Sequence, residues 1–135
     1  MRWDFGDINY LAVIVVVIAN FAIGMAWYGG MANQWMKATG LTKEQARKMQ
    51  VLPLAFSAVR SFVAAVAVAL LFNHFAPDAG IAEGAGLGLL IGVGLAGPNV
   101  AMHNLFAMKK NLAVIDGAHT VVEFLVMGLI IGAWQ

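Results

Sequence analysis

The chain has 135 residues, of which 61% are apolar and only 11% charged, and its net charge is +1. Soluble domains typically carry about 25% charged residues, so the composition favours a membrane protein with one domain over residues 1–135. The near-neutral charge gives no argument for binding nucleic acid, and the absence of cysteine excludes disulfides. Residues 1–7 hold two acids and one base, which is not the basic start of a cleaved signal peptide.

Four apolar runs predict four transmembrane helices. The runs cover residues 8–28, 52–75, 85–107 and 112–134. Each reaches the length of about 20 residues that is needed to cross a hydrocarbon core of about 30 Å. Polar and apolar residues do not alternate along them as they do in barrel strands, so helices must satisfy the backbone in lipid. The predicted fold class is therefore all-α: an integral membrane bundle of four transmembrane helices within the lipid bilayer.

The first connection is longer than the others and predicts a short helical segment. Gly29 and Gly30 should break helix one, and apolar residues then recur near helical spacing over residues 31–39, which indicates an interfacial helix. Thr42 followed three residues later by Gln45 forms a capping-box pattern. This pattern predicts a second, basic helix over residues 43–50 at the cytoplasmic surface.

The basic residues predict the orientation. The first and third connections hold six of them: Lys37, Lys43, Arg47, Lys48, Lys109 and Lys110. The opposite membrane face has the two termini and the second connection, with Arg2 as its single base. The positive-inside rule places the six bases in the cytoplasm. We therefore expect a multi-pass protein of the bacterial cytoplasmic (inner) membrane with both termini outside.

Polar residues within the spans are the candidates for function, because each charge costs roughly 2.5–3.5 kcal/mol at a helix centre on insertion scales. Those in the cytoplasmic half are Asn20, Arg60, Asn99, His103, Asp116, His119 and Glu123. The last three share one side of helix four, and Asn99 and His103 share one side of helix three. We expect all of them to face inward, with Arg60 paired to Glu123 or Asp116, because an unpaired buried charge is costlier than a paired one.

This inward-facing group has three interpretations: a structural cluster that fixes helix register, a path for protons or solutes, or a metal site. His and carboxylate side chains suit metals, but no compact ligand spacing such as His-Glu-x-x-His occurs. No phosphate-binding loop or nucleophile with a visible base occurs either. We therefore expect no enzyme, cofactor or metal. A structural or accessory membrane subunit is favoured over a small transporter or channel, because four helices enclose little space for a pore.

Small residues at intervals of four predict close helix packing. These positions are Gly84, Gly88, Gly92 and Ala96 on helix three, and Gly128 and Gly132 on helix four. Their partner is either a helix of the same bundle or a second chain, so we expect a homo-oligomer or a subunit of a larger membrane complex. Pro98 predicts a kink in helix three, which is either an ordinary bend or one whose freed carbonyl lines a polar cavity.

Several short segments carry a resemblance that spans nearly the whole chain. They are Gly24-Met25-Ala26-Trp27-Tyr28, Trp35-Met36-Lys37, Gly40-Leu41-Thr42, Asn104-Leu105-Phe106, Asp116-Gly117-Ala118-His119, Met127-Gly128 and Gly132-Ala133-Trp134. They resemble a small bacterial membrane family catalogued as domain of unknown function 1761. That family often follows Trp-Tyr with Ser-Pro, where this chain has Gly29-Gly30. The resemblance implies a four-helix membrane protein and no particular activity.

Overall fold

The computed structural model describes residues 4–48, 51–78 and 80–134, which form helices and turns with no strand among them. The helices are α1 (Tyr10–Gly30), α2 (Ala32–Thr39), α3 (Lys43–Lys48), α4 (Val51–Phe75), α5 (Ile81–Ile91), α6 (Gly97–Phe106) and α7 (Lys110–Ala133). A 3-10 turn, Phe5–Asp7, precedes α1. Arg2 and the end of the predicted basic helix at Gln50 lie outside the described residues.

Four helices are long and apolar enough to cross a membrane: Tyr10–Gly30, Val51–Phe75, Ile81–Phe106 and Lys110–Ala133. The third consists of α5, a π-helical turn (Gly92–Ala96) and α6 in one continuous run. Large apolar side chains such as Leu11, Phe56, Leu90 and Val114 are exposed on the outer faces, as is typical of helices that contact lipid. The prediction of an all-α fold with four transmembrane helices and a helical segment between the first two is confirmed.

The end of α1 differs from the prediction. Gly29 and Gly30 do not break the helix but form its last two residues, and the N–H of Met31 donates to the Trp27 carbonyl at 2.9 Å. Glycine weakens a helix without ending it, because its backbone can still form the helical hydrogen bond. The chain therefore passes from α1 into α2 with a single intervening residue.

The segment between α2 and α3 forms as its sequence indicates. α2 ends at Gly40, whose φ of 78° lies in the left-handed region that favours glycine. The capping box at the start of α3 is present: the Gln45 N–H donates to Thr42 Oγ1 at 3.2 Å, and the Thr42 N–H donates to Gln45 Oε1 at 2.9 Å. Both helices are short and have no buried residue.

Helix α7 is the centre of the structure and packs against α1, α4, α5 and α6. The apolar core lies between α1, α4 and α7, together with one residue that precedes α1: Ile8, Val13, Val16, Ala65, Val68, Ala69, Phe72, Met127 and Ile131. The same three helices bury polar side chains further along, among them Asn20, Ser61 and Glu123. The seam between α1, α4 and α7 is thus apolar towards one membrane face and polar towards the other.

The small residues at intervals of four on the third and fourth spans, here called the glycine stripe, pack against each other inside this chain. A Cβ at Gly84 would overlap the Gly128 carbonyl oxygen, and a Cβ at Gly88 would overlap that of Phe124. Gly132 lies against Gly84 in the same contact. The backbones of α5 and α7 therefore approach as closely as small residues permit. Of the two partners that the sequence left open for these glycines, the structure shows a helix of the same chain.

The stripe departs from its predicted course at Ala96. The π-helical turn Gly92–Ala96 ends with the Gly97 N–H donating to the Gly92 carbonyl, five residues back. Pro98 follows, and it has no N–H to donate to Gly94. The wider turn accommodates the proline at the position where the sequence predicted a kink, and the helix continues through it. The extra residue turns Gly97 instead of Ala96 towards α7.

Candidate functional site

An ion pair links α4 to α7 at the polar end of the seam. Arg60 Nη2 donates to Glu123 Oε2 at 2.6 Å. The Glu123 side chain is only 3% exposed, whereas that of Arg60 is 39% exposed. Of the two acids that the sequence offered as partners for Arg60, the structure selects Glu123. The buried carboxylate thereby has a cationic partner, and this arrangement costs far less than leaving it alone.

His119 lies one helical turn before Glu123 and faces the aromatic end of α1. Its Nδ1 atom is 3.8 Å from Glu123 Oε2, which is too long for a hydrogen bond. The imidazole packs against Tyr28 with ring centroids 4.8 Å apart, and against Trp27 at 5.9 Å. Gly24 lies next to this ring, and a Cβ there would be in ordinary van der Waals contact with His119 Nε2 at 3.7 Å. His119 is therefore held mainly by aromatic contacts.

Asp116 joins three helices through its two carboxylate oxygens. The Tyr28 hydroxyl donates to Oδ1 at 3.0 Å, and Asn104 Nδ2 donates to Oδ2 at 3.0 Å. Asn104 also donates to the Leu112 carbonyl at 3.3 Å, which fixes the end of α6 against the start of α7. Each oxygen of the carboxylate therefore has a hydrogen-bond donor from a different helix. Asp116 thus connects α7 to both α1 and α6.

A further hydrogen bond connects α1 to α4. Asn20 Nδ2 donates to Ser61 Oγ at 2.9 Å, and both side chains are buried. Three buried polar atoms have no partner among the described residues: Asn20 Oδ1, Trp27 Nε1 and His119 Nε2. Asn20 and Trp27 are separated by seven residues of α1, so they lie on the same face of that helix. From this face Trp27 contacts His119 of α7, and Asn20 contacts Ser61 of α4.

We refer to these side chains as the polar cluster: Asn20, Tyr28, Arg60, Ser61, Asn104, Asp116, His119 and Glu123. Five of the residues selected from the sequence belong to it: Asn20, Arg60, Asp116, His119 and Glu123. Tyr28 and Asn104 were not selected, although both lie in segments that carry the family resemblance. Both are polar residues inside predicted spans, 8–28 and 85–107, so the criterion that selected Asn20 and Asn99 could also have found them.

Asn99 and His103 do not belong to the polar cluster, contrary to the prediction. Both are exposed, whereas Asn104 is buried against α7. The π-helical turn explains the difference. In a regular helix the face that contains Ala96 continues three and seven residues later, at Asn99 and His103. With one residue inserted, the face instead contains Gly97 and continues seven residues later at Asn104.

The polar cluster is built for hydrogen bonds and ion pairs. Within residues 4–48, 51–78 and 80–134, no group of three or more His, Asp or Glu side chains could hold a metal ion. The two acids of the polar cluster are instead bonded to arginine, tyrosine and asparagine. Chemically, such a group can fix the positions of helices, and its carboxylates and imidazole can also accept and release protons.

Comparison with known proteins gives one finding. A family model described as "Protein of unknown function (DUF1761)" matches residues 11–132, which include the whole polar cluster and all four spans except Tyr10 and Ala133. No curated protein and no solved structure matches the chain. Since the family model covers most of its length, the chain belongs to the DUF1761 family of proteins of unknown function.

Proposed function

We propose that this protein is a small structural or accessory membrane subunit. In this proposal the polar cluster fixes how the helices of the protein pack. The observation that carries the proposal is the Arg60–Glu123 ion pair, which joins α4 to the central helix with a buried carboxylate. Removing one member of a buried pair typically costs about 3–5 kcal/mol. A helix register that separated Arg60 from Glu123 would incur this penalty, so the ion pair favours the one register in which the two side chains meet.

The other contacts of the polar cluster support the same role. Asp116 binds α1 and α6 through Tyr28 and Asn104, so every span has a polar connection to another span. A surface depression does occur, but it lies at the α2–α3 junction and not at the cluster; its lining includes Lys37 and Lys43. We propose no catalytic activity and no cofactor, because the acids of the polar cluster are bonded to arginine, tyrosine and asparagine. We expect the partners to be lipid and other membrane helices, not nucleic acid.

A second candidate is a proton- or solute-translocating protein. The specific observation in its favour is that His119 and Glu123 lie side by side in the seam, with His119 Nε2 unpartnered among the described residues. Arg60 is partly exposed next to them. A titratable pair within a span is a common element of proton relays.

We propose a bacterial cytoplasmic membrane location, with both termini outside. Lys109 Nζ donates to the Thr39 carbonyl at 3.3 Å, so the basic first and third connections lie at the same end of the bundle. At the other end, Asn73 Nδ2 donates to the Asp7 carbonyl at 3.0 Å. The positive-inside rule assigns the lysine-rich end to the cytoplasm.

A flux assay on reconstituted protein separates the two candidate functions. Liposomes with wild-type protein are tested for proton and ion flux across a range of pH, beside His119→Phe and the double variant Arg60→Met/Glu123→Gln. For a structural subunit we expect no flux above that of protein-free liposomes, and normal insertion of the double variant. Wild-type flux that disappears in a well-folded double variant would refute the structural role and establish translocation.

A further inference from the structure

The outward face of the third span carries two polar side chains without partners. Asn99 and His103 lie one turn apart on α6, both are exposed, and neither forms a side-chain hydrogen bond within the described residues. Asn99 lies seven residues before the end of α6 at Phe106, which is about 10 Å along the helix. Hydrocarbon cannot satisfy an amide at that depth. A polar group on another helix would satisfy it.

Two glycines on the same face indicate how closely that helix approaches. Gly86 and Gly94 are exposed, and among the described residues no atom of another helix lies within 4 Å of a Cβ built on either. Gly86, Gly94 and Asn99 each lie two residues after a buried glycine, namely Gly84, Gly92 and Gly97. Two residues correspond to just over half a helical turn, so all three lie on the face opposite the buried glycines. Glycine disfavours helix, and no packing contact in the part of the chain that the structure describes explains these two. Close contact with another helix would explain them.

We propose that this face of the third span, comprising Gly86, Leu90, Gly94, Asn99 and His103, is the contact surface between two copies of the chain. An asparagine amide both donates and accepts hydrogen bonds, so it is complementary to itself. Two chains inserted in the same orientation and related by a two-fold axis along the membrane normal place their Asn99 residues at equal depth. The proposal does not depend on the role of the polar cluster, whose single residue on this span, Asn104, is buried on its inward side.

Cysteine cross-linking tests this surface, since the natural chain contains no cysteine. Met102→Cys places a thiol beside Asn99 on α6, and Val59→Cys places one on the outer face of α4; the two native residues are 54% and 61% exposed. After oxidation in liposomes at low protein density, we expect a disulfide-linked dimer from Met102→Cys at several times the yield from Val59→Cys. Equal yields, or a dimer from Val59→Cys alone, would overturn the proposal.

A second variant tests the amide itself. Adding Asn99→Leu to Met102→Cys should raise the dimer dissociation constant roughly five- to thirty-fold, as expected for loss of a hydrogen bond between membrane helices. Gly86→Leu should also weaken the dimer, by keeping the helices apart. The matched control is Ala67→Leu, at an exposed position on α4, which should change nothing. An unchanged dissociation constant in both Asn99→Leu and Gly86→Leu contradicts the proposed surface.

Discussion

The Tyr28 hydroxyl donates a 3.0 Å hydrogen bond to Asp116 Oδ1, although the two residues are 88 positions apart in the chain. This bond ties the last turns of α1 to the first turns of α7. Because α2 begins two residues after α1 ends, the same bond also sets where the basic first connection leaves the bundle. A neutral side chain thus holds one of the two acids of the central helix in place.

Replacing Tyr28 with phenylalanine should destabilise the fold by about 1.5–3 kcal/mol, the range for hydrogen bonds to charged groups. Unfolding in detergent by denaturant measures this loss. Tyr10→Phe is the matched control, since the Tyr10 hydroxyl donates to the Phe5 carbonyl at an exposed site, where water can replace the partner. Equal losses in the two variants would show that the Asp116 contact contributes no special stability.

Asn104 should contribute more to stability than Asn99, because only Asn104 is turned towards α7 by the π-helical turn. We expect Asn104→Leu to cost about 1.5–3 kcal/mol by leaving Asp116 Oδ2 unbonded. Under detergent conditions that give monomers, Asn99→Leu should stay within about 0.5 kcal/mol of wild type. Unfolding of the two variants side by side measures the difference. A larger loss of stability in Asn99→Leu than in Asn104→Leu would show that α6 faces α7 as it would in an α-helix without the π-helical turn.

The contact between α5 and α7 should not tolerate one added methyl group. In Gly88→Ala the new Cβ would overlap the Phe124 carbonyl oxygen, so the backbones must separate, at a cost of about 1–3 kcal/mol. Gly29→Ala is the control, because nothing lies within 4 Å of its Cβ position near the end of α1. Thermal unfolding in detergent compares them, and a Gly88→Ala variant as stable as Gly29→Ala would contradict the close contact.

The proposed orientation predicts which positions react with an impermeant thiol reagent outside intact cells. A cysteine at Asp78, in the turn between α4 and α5, should be labelled. Cysteines at Lys43 or Lys110 should be protected until the membrane is opened, because both lie at the basic end assigned to the cytoplasm. Labelling of Lys43 and Lys110 with protection of Asp78 would reverse the topology.

Regular helices made much of this architecture predictable. The four spans follow from length and hydropathy alone. The shared face of Asp116, His119 and Glu123 follows from the 3.6-residue period, because α7 contains no proline and is uninterrupted from Lys110 to Ala133. Arg60 and the acids of α7 fall in the same half of the membrane. Because an unpaired buried charge is costlier than a paired one, their positions also predicted that Arg60 would pair with one of these acids.

The third span was less predictable, for a physical reason. Counting at a constant period assumes one continuous α-helix, but Pro98 can be accommodated by either a kink or a wider turn. The wider turn moved the inward face by one residue, which exchanged Ala96 for Gly97 and removed Asn99 and His103 from the polar cluster. The partner of the glycine stripe was also not readable, since close packing within a chain and between chains requires the same small residues.

A double-mutant cycle on Arg60 and Glu123 tests the central claim most directly. Free energies of unfolding are measured in detergent for wild type, Arg60→Met, Glu123→Gln and the double variant. Losing one partner of a buried pair costs about 3–5 kcal/mol, and the 39% exposure of Arg60 puts Arg60→Met at the lower end of that range. If the pair fixes the bundle, the double variant should recover most of the stability that Arg60→Met loses. Losses that simply add would show that Arg60 and Glu123 act independently, and would contradict the account.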